Sequence, residues 1–420
     1  KNRFPEELGK RFFLLFVIDL PDRKTACEME NNYETVCLCA LNSIFGYEPR
    51  VASALIENLG SASAVFEMSD ADKDAVFGPY SKYRGKIVKK ELDAAEAVLQ
   101  RLRRDGTVFV GITSDEYPKR LKGCEDAPLG IFVRSDSPVE RIFAGTEHYV
   151  AVVGTREITP YGEQWCRDIV RTLAGSGAAP CIVSGLAYGT DIIAHRTAVE
   201  CGLPTIAVMA TGTDTVYPGR HRGFAEHLAG LPGCALVTDY PPGTAPVALN
   251  FIRRNRIIAG LSDSVILVES AVKGGGMITS RLAFSYNRSV YALPGRGDDS
   301  RSQGCNHLIR EGVAEIIDSL DGLNVQLGLC EKGRGCGGMQ GCCRIVRGDL
   351  TERYSRTLPE DKIAAMTAVL LKVRERRGID FDGLCDATGL PYRSVAEVVA
   401  LLENDGMISV DLLRRCSIRG

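Results

Sequence analysis

Residues 181–195 read CIVSGLAYGTDIIAH: an apolar run at 181–183 breaks at Ser184-Gly185, turns through Gly189, and continues from Thr190-Asp191 at helical spacing. A short run without polar alternation is a strand buried on both faces, and a glycine turn leading into a helix is the junction found along a parallel sheet. The junction recurs at 150–156 (VAVVGTR), which ends in Gly154-Thr155-Arg156, and at 265–279 (VILVESAVKGGGMIT). Further β-branched runs lie at 108–112, 131–133, 205–208, 235–237 and 290–293, separated by helix-length stretches. The pattern predicts an α/β fold, an extended Rossmann-like doubly wound parallel sheet, over residues 105–320.

Working outward, residues 29–104 carry apolar positions at helical spacing with breaks at Gly46, Gly60 and Gly78-Pro79. They predict a helical domain of the sterile-alpha-motif or helix-hairpin-helix type. Residues 1–28 read as an N-terminal extension ahead of a working start at Met29. Residues 321–360 lose periodicity in a Gly- and Cys-rich linker. Residues 361–420 give three helical patterns broken at Gly378, Gly389 and Gly406, the spacing of a winged helix-turn-helix.

The 420 residues hold 51 Lys+Arg against 53 Asp+Glu, a formal net charge of −2, so no basic coat surrounds the chain and any anion site must be local. Charged residues at 25% and hydrophobic ones at 45% exclude a mainly disordered chain. Fifteen scattered cysteines suit a reducing, cytoplasmic compartment better than a disulfide framework. The apolar run at 12–18 is too short to span a membrane.

One stretch concentrates positive charge: 250–262, NFIRRNRIIAGLS, sets Arg253, Arg254 and Arg256 around Asn255 with Phe251 ahead of them. Arginines beside an apolar run must pair with acids or meet an anionic ligand. Segment 148–320 contains a single lysine, Lys273, its other basic residues being arginine, the side chain that forks onto phosphates and stacks on bases. Charge for a backbone and a ring for a base are what a single-stranded nucleic acid requires. The three glycine turns at the carboxyl ends of the strands would add backbone donors to the same rim. A salt-bridge cluster is the competing reading of the arginines.

The ordered series VAVVGTR, VSGLAYGTDIIAH, TIAVMATGTDTVYP, RRNRIIAGLS, VESAVKGGGMITSRLA and VYALPG with GCNHLI resembles the DNA-processing protein A (DprA/Smf) family, and DEYPKRL at 115–121 extends the likeness upstream. The resemblance implies a non-enzymatic, cofactor-free, cytoplasmic protein that binds single-stranded DNA, forms a homodimer, protects incoming strands in natural transformation and loads the RecA recombinase. By motif, Arg156, Ser184, Gly185, Arg253, Arg254, Asn255, Arg256, Lys273, Gly274, Gly275, Gly276 and Thr279 would line the strand groove, with Phe251 as the stacking ring. Phe251-Ile252 replaces the family's usual Phe-Pro pair.

Two other classes compete: a nucleotide-hydrolysing Rossmann enzyme and a winged-helix transcription regulator. Asp191 and His195 are four residues apart on one helix face and could form a base with its orienter, although no nucleophile elbow accompanies them. Cys330, Cys336, Cys342 and Cys343 lack the paired short spacings that hold zinc, so no metal is expected. The presumptive recognition helix at 392–404 sets Arg393 against Glu397 and Glu403, too acidic to read duplex DNA.

Overall fold

In a computed structural model of the chain the eight runs are strands β1 (Thr107–Gly111), β2 (Gly130–Arg134), β3 (Tyr149–Val153), β4 (Cys181–Ser184), β5 (Thr205–Val208), β6 (Ala235–Thr238), β7 (Ser264–Leu267) and β8 (Ser289–Ala292). A two-residue strand, β9 (Glu315–Ile316), completes one sheet in the order β1-β2-β6-β5-β4-β3-β7-β8-β9. The structure describes residues 23–320, 322–329, 354, 358–375, 379–405, 407–410 and 414–418. The four cysteines weighed as a zinc site, and residues 1–22 of the proposed extension, lie outside these.

Strands β3 to β9 are parallel, but β1 pairs antiparallel with β2, and β2 antiparallel with β6. The expectation of a wholly parallel sheet is therefore corrected at one edge: the sheet is mixed. An apolar run shows that a strand is buried on both faces, not which way it points, and antiparallel strands commonly edge a parallel sheet.

Five of the parallel strands set the site. From β3 the chain moves outward through β4 and β5 to β6, then returns to place β7 against the other side of β3. The direction of winding thus reverses between β3 and β7. Helices splay apart at such a point, leaving a crevice beyond the carboxyl ends of the two strands.

Both faces of the sheet are covered, as the uninterrupted apolar strands require. Tyr149, Ala151 and Val153 enter one core with Ile257, Leu267 and Met277, while Val150 and Val152 enter the other with Ile169, Ile193 and Leu236. Leu323 and Leu329, placed in the linker by composition, are buried in this second core. Asn324 also donates to the Thr172 carbonyl over 2.9 Å.

The helix Arg23–Phe45 packs with Pro49–Leu59, Ala62–Glu67 and Lys89–Arg104 into a core that includes Phe109 and Phe132, rings 5.0 Å apart on β1 and β2. Apolar side chains on the edge strands thereby seat the helical unit on the sheet. The C-terminal segment forms helices Glu360–Glu375, Phe381–Thr388 and Tyr392–Asn404 with three short antiparallel strands around a core of their own. Among the described residues no helix is long and apolar enough to cross a membrane.

Candidate nucleic-acid interface

The crevice between β3 and β7 is a cavity of about 680 Å3. Its walls come from three chain segments that the sheet brings together: Gly154–Glu157 after β3, the glycine loop after β7, and the helix Ala248–Leu261 that carries the arginine box.

A buried carboxylate joins the two strand ends. Glu269, after β7, accepts the Thr159 amide over 2.9 Å and the Thr159 hydroxyl over 2.5 Å. Thr159 in turn caps the helix Pro160–Ala174, accepting from the Gly162 amide over 3.1 Å. The loop holding Arg156 is consequently fixed at its far end, and the exposed Arg156 side chain reaches over the cleft. Its guanidinium carbon lies 5.3 Å from the Phe251 ring centroid, and Tyr217 meets the same ring edge-on at 5.2 Å. Arginine over an aromatic face is a cation–π pair, and the ring stays half-exposed.

The opposite rim is the start of the helix Gly275–Ser285, with Gly274 as its N-cap. Amides of a first helical turn have no carbonyl one turn earlier to bond, and the helix dipole makes that end positive. Gly275 has open space where a side chain would begin. Gly276 is a packing glycine, since a Cβ there would meet Gly154 at 3.3 Å. Thr279 closes this side, buried beneath the loop.

The arginine box divides three ways. Arg254 forms part of the cleft floor, buried, donating through Nη1 to the carbonyl of Gly185 over 2.6 Å and to that of Val208. Burial lowers its pKa to about 10, against the opposing charge of Asp191 and with further lowering by Arg156, so it remains cationic at neutral pH. Its Nε has no hydrogen-bond partner among the described residues.

Arg256 points away from the cleft into a buried ion pair, 2.5 Å from Asp239, and also donates to the Asp126 carbonyl. Burial depresses its pKa, but Asp239 and Asp126 outweigh that and raise it. Arg253 turns to the helical unit, its guanidinium 4.4 Å from the Tyr47 ring and donating to the Tyr47 carbonyl. These two arginines therefore do not border the cavity, whereas Arg156, Phe251, Arg254, Asn255, Gly274, Gly275, Gly276 and Thr279 do.

Three further expected residues stand behind it or beside it. Ser184 is buried and donates to the Val152 carbonyl over 2.6 Å, and Gly185 provides the surface on which Arg254 lies. Lys273 is exposed on the glycine loop outside the cavity lining. Tyr217, Ser270 and Asp191 line the cleft but were not singled out for it. Tyr217 follows β5 by several residues, and no local pattern announces that its ring crosses to Phe251.

The Asp191–His195 pair does not form. His195 Nδ1 is 2.7 Å from Thr205 Oγ1, which donates to the Ile182 carbonyl. The threonine hydroxyl thus accepts from the imidazole, and burial lowers the His195 pKa to about 3. Asp191 has a raised pKa through burial, opposed by Arg254 and by the Ala187 amide. The buried thiols of Cys39 and Cys305 are pushed up to about 12 by burial and behave as apolar packing groups.

Fold and cleft define a class: a Rossmann-like α/β protein with an arginine-floored, aromatic-flanked crevice at its topological switch point. A family model described as DNA recombination-mediator protein A matches residues 108–328. The chain belongs to that family. It is 36% identical over 382 residues to Protein Smf of Synechocystis sp., covering 86% of this chain and 93% of that protein. It is also 39% identical over 235 residues to Protein Smf of Escherichia coli, covering 56% of this chain and 61% of the relative's length. The X-ray structure of DNA processing protein A from Streptococcus pneumoniae superposes with a TM-score of 0.56 at 28% identity, covering 70% of this chain and 95% of that one.

Proposed function

We propose that the cleft binds single-stranded DNA and that the protein acts as a recombination mediator in the cytoplasm. The observation that carries this reading is the floor of the cleft, where Arg254, anchored on two backbone carbonyls, holds a buried cationic charge. Beside it lie the half-exposed Phe251 ring under Arg156 and the positive end of the helix Gly275–Ser285. Phosphate oxygens can take up the cationic and amide donors while a base stacks on Phe251, and neither contact depends on sequence. Family membership supports a strand-protecting role with transfer of the strand to RecA, and a homodimer as the working assembly.

In this reading, the C-terminal unit of three helices and three strands is a winged helix-turn-helix that contacts protein. Arg393 on its Tyr392–Asn404 helix is 3.5 Å from Glu397, which also lies 3.2 Å from Lys362. The helix therefore has little cationic surface for a duplex backbone.

Fluorescence anisotropy with matched single-stranded and duplex oligonucleotides over a salt series tests the proposal. Tighter binding of the single strand, weakening as salt rises, is expected. Equal or preferential duplex binding would remove it.

A further inference from the structure

A second cavity, of about 640 Å3, opens on the other side of Arg156, bordered by Arg167, Tyr188, Ile192 and Arg196. Arg156 and Glu157 belong to the linings of both cavities, so the two are neighbours across one side-chain boundary.

The charges here are unequally satisfied. Glu163 lies 2.8 Å from Arg167, and Glu157 lies 3.7 Å from Arg301. Each carboxylate thus already faces an arginine. Arg156 and Arg196 are exposed, and among the described residues neither has an ion-pair partner in this cavity. Arg196 is nonetheless oriented, its guanidinium 5.9 Å from the Phe224 ring. The cavity therefore keeps two cationic groups after its internal pairs are counted.

It also offers a ring. Tyr188 is 42% exposed, and its ring meets His221 edge-on at 5.0 Å and 70°. His221 is buried and tied through Nδ1 to the Leu186 carbonyl over 2.8 Å. Leu186 itself adopts φ +58, a left-handed conformation that a leucine holds only where its surroundings enforce it. The Tyr188 ring is thus backed by a buried, hydrogen-bonded imidazole on a constrained turn.

We propose that the bound strand does not end in the first cavity but passes Arg156 into this second one, with a base stacked on Tyr188 and a phosphate against Arg196. The inference rests on the single-strand reading of the first cavity and extends it to a two-lobed track. Arg156 sits at the crossing, where one phosphate can be shared between the lobes, and each lobe has its own ring and its own arginine. Arg196 and Tyr188 are placed by the helix Thr190–Glu200 and the turn before it, so the turn that supports Arg254 from behind also shapes the second lobe.

The test uses the full chain and oligothymidylates of two lengths, about 4 and about 16 nucleotides, the span of site sizes seen in sequence-tolerant single-strand binders. Tyr188→Ala is expected to leave the short strand's affinity unchanged and to weaken the long strand at least about fivefold, the lower end of one base stack. Tyr188→Phe should retain the long-strand affinity, because the stacking ring remains. Arg196→Ala should lower the salt slope for the long strand by about 0.7, one phosphate contact. Unchanged long-strand binding in both alanine variants overturns the second lobe, as does an equal loss at both lengths. A wild-type protein that binds neither length overturns the single-strand reading itself, a separable outcome.

Discussion

The guanidinium of Arg254 lies against the backbone of Gly185: a Cβ at position 185 would sit 2.6 Å from Arg254 Cζ. The glycine that looked like a phosphate turn in the sequence is the seat of a buried arginine, whose charge reaches the cleft from below.

Gly185→Ala should therefore displace Arg254 and leave the carbonyls of Gly185 and Val208 without their donor. Losing such buried bonds costs about 1–3 kcal/mol. Urea denaturation should show a lower midpoint, and single-strand affinity should fall with it. Wild-type values in both measurements would mean the guanidinium has another resting place.

Arg156 and Arg256 should separate cleanly. Arg256→Ala strands Asp239 in the interior and should cost about 3–5 kcal/mol of stability, while the folded fraction keeps the wild-type salt slope. Arg156→Ala, at an exposed position, should change stability by no more than about 0.5 kcal/mol. It should reduce the slope of log affinity against log salt by about 0.7. Reversed results would exchange the roles of the two arginines.

Phe251→Ala should weaken single-strand binding by about 1–3 kcal/mol, the usual contribution of one stacked base. Phe251→Trp should restore most of it, because a larger π-face replaces the lost one. If the alanine variant binds as tightly as wild type, the ring beneath Arg156 supports the loop and holds no base.

Acid should destabilise the fold partly through His195. Its pKa falls from 6.5 to about 3 on burial, so the unfolded chain binds more protons between those values. Stability contributed by the neutral imidazole is complete above pH 6.5 and is lost as pH falls toward 3, at up to about 1.4 kcal/mol per pH unit. Denaturant midpoints from pH 7.5 down to about 5 should decline more steeply in wild type than in His195→Gln. Parallel curves for the two proteins would place the acid sensitivity elsewhere.

Much of the sheet was legible because a buried strand leaves a local mark. The runs at 150–153 and 205–208 became β3 and β5 with those same bounds or one residue more. Strand direction leaves no such mark: β1 and β2 are as apolar as the parallel strands, yet they pair antiparallel. β9 has two residues, both exposed, too little for any periodicity. In the cleft, the sequence marked the glycine loop as a turn between a strand end and a helix, and Phe251 as the aromatic just ahead of the arginine box. Tyr217 and Tyr188 stand among ordinary turn residues, and only chain crossings bring them to the two cavities.

From the residues alone came the alternation of buried strands with helices, the glycine junctions at strand ends, and the gathering of arginine at 253–256 on a chain whose net charge is −2. Those follow from local chemistry, since burial period, turn conformation and charge are properties of neighbours in the chain. Which arginine faces a ligand was set by folding. Arg254 and Arg256 are two residues apart on one helix, about 200° around its axis, so one turns toward Gly185 at the cleft and the other toward Asp239. Partners that far away in sequence are chosen by the packing of the helix on the sheet, and with them the division between an arginine that holds the fold and one that faces the cleft.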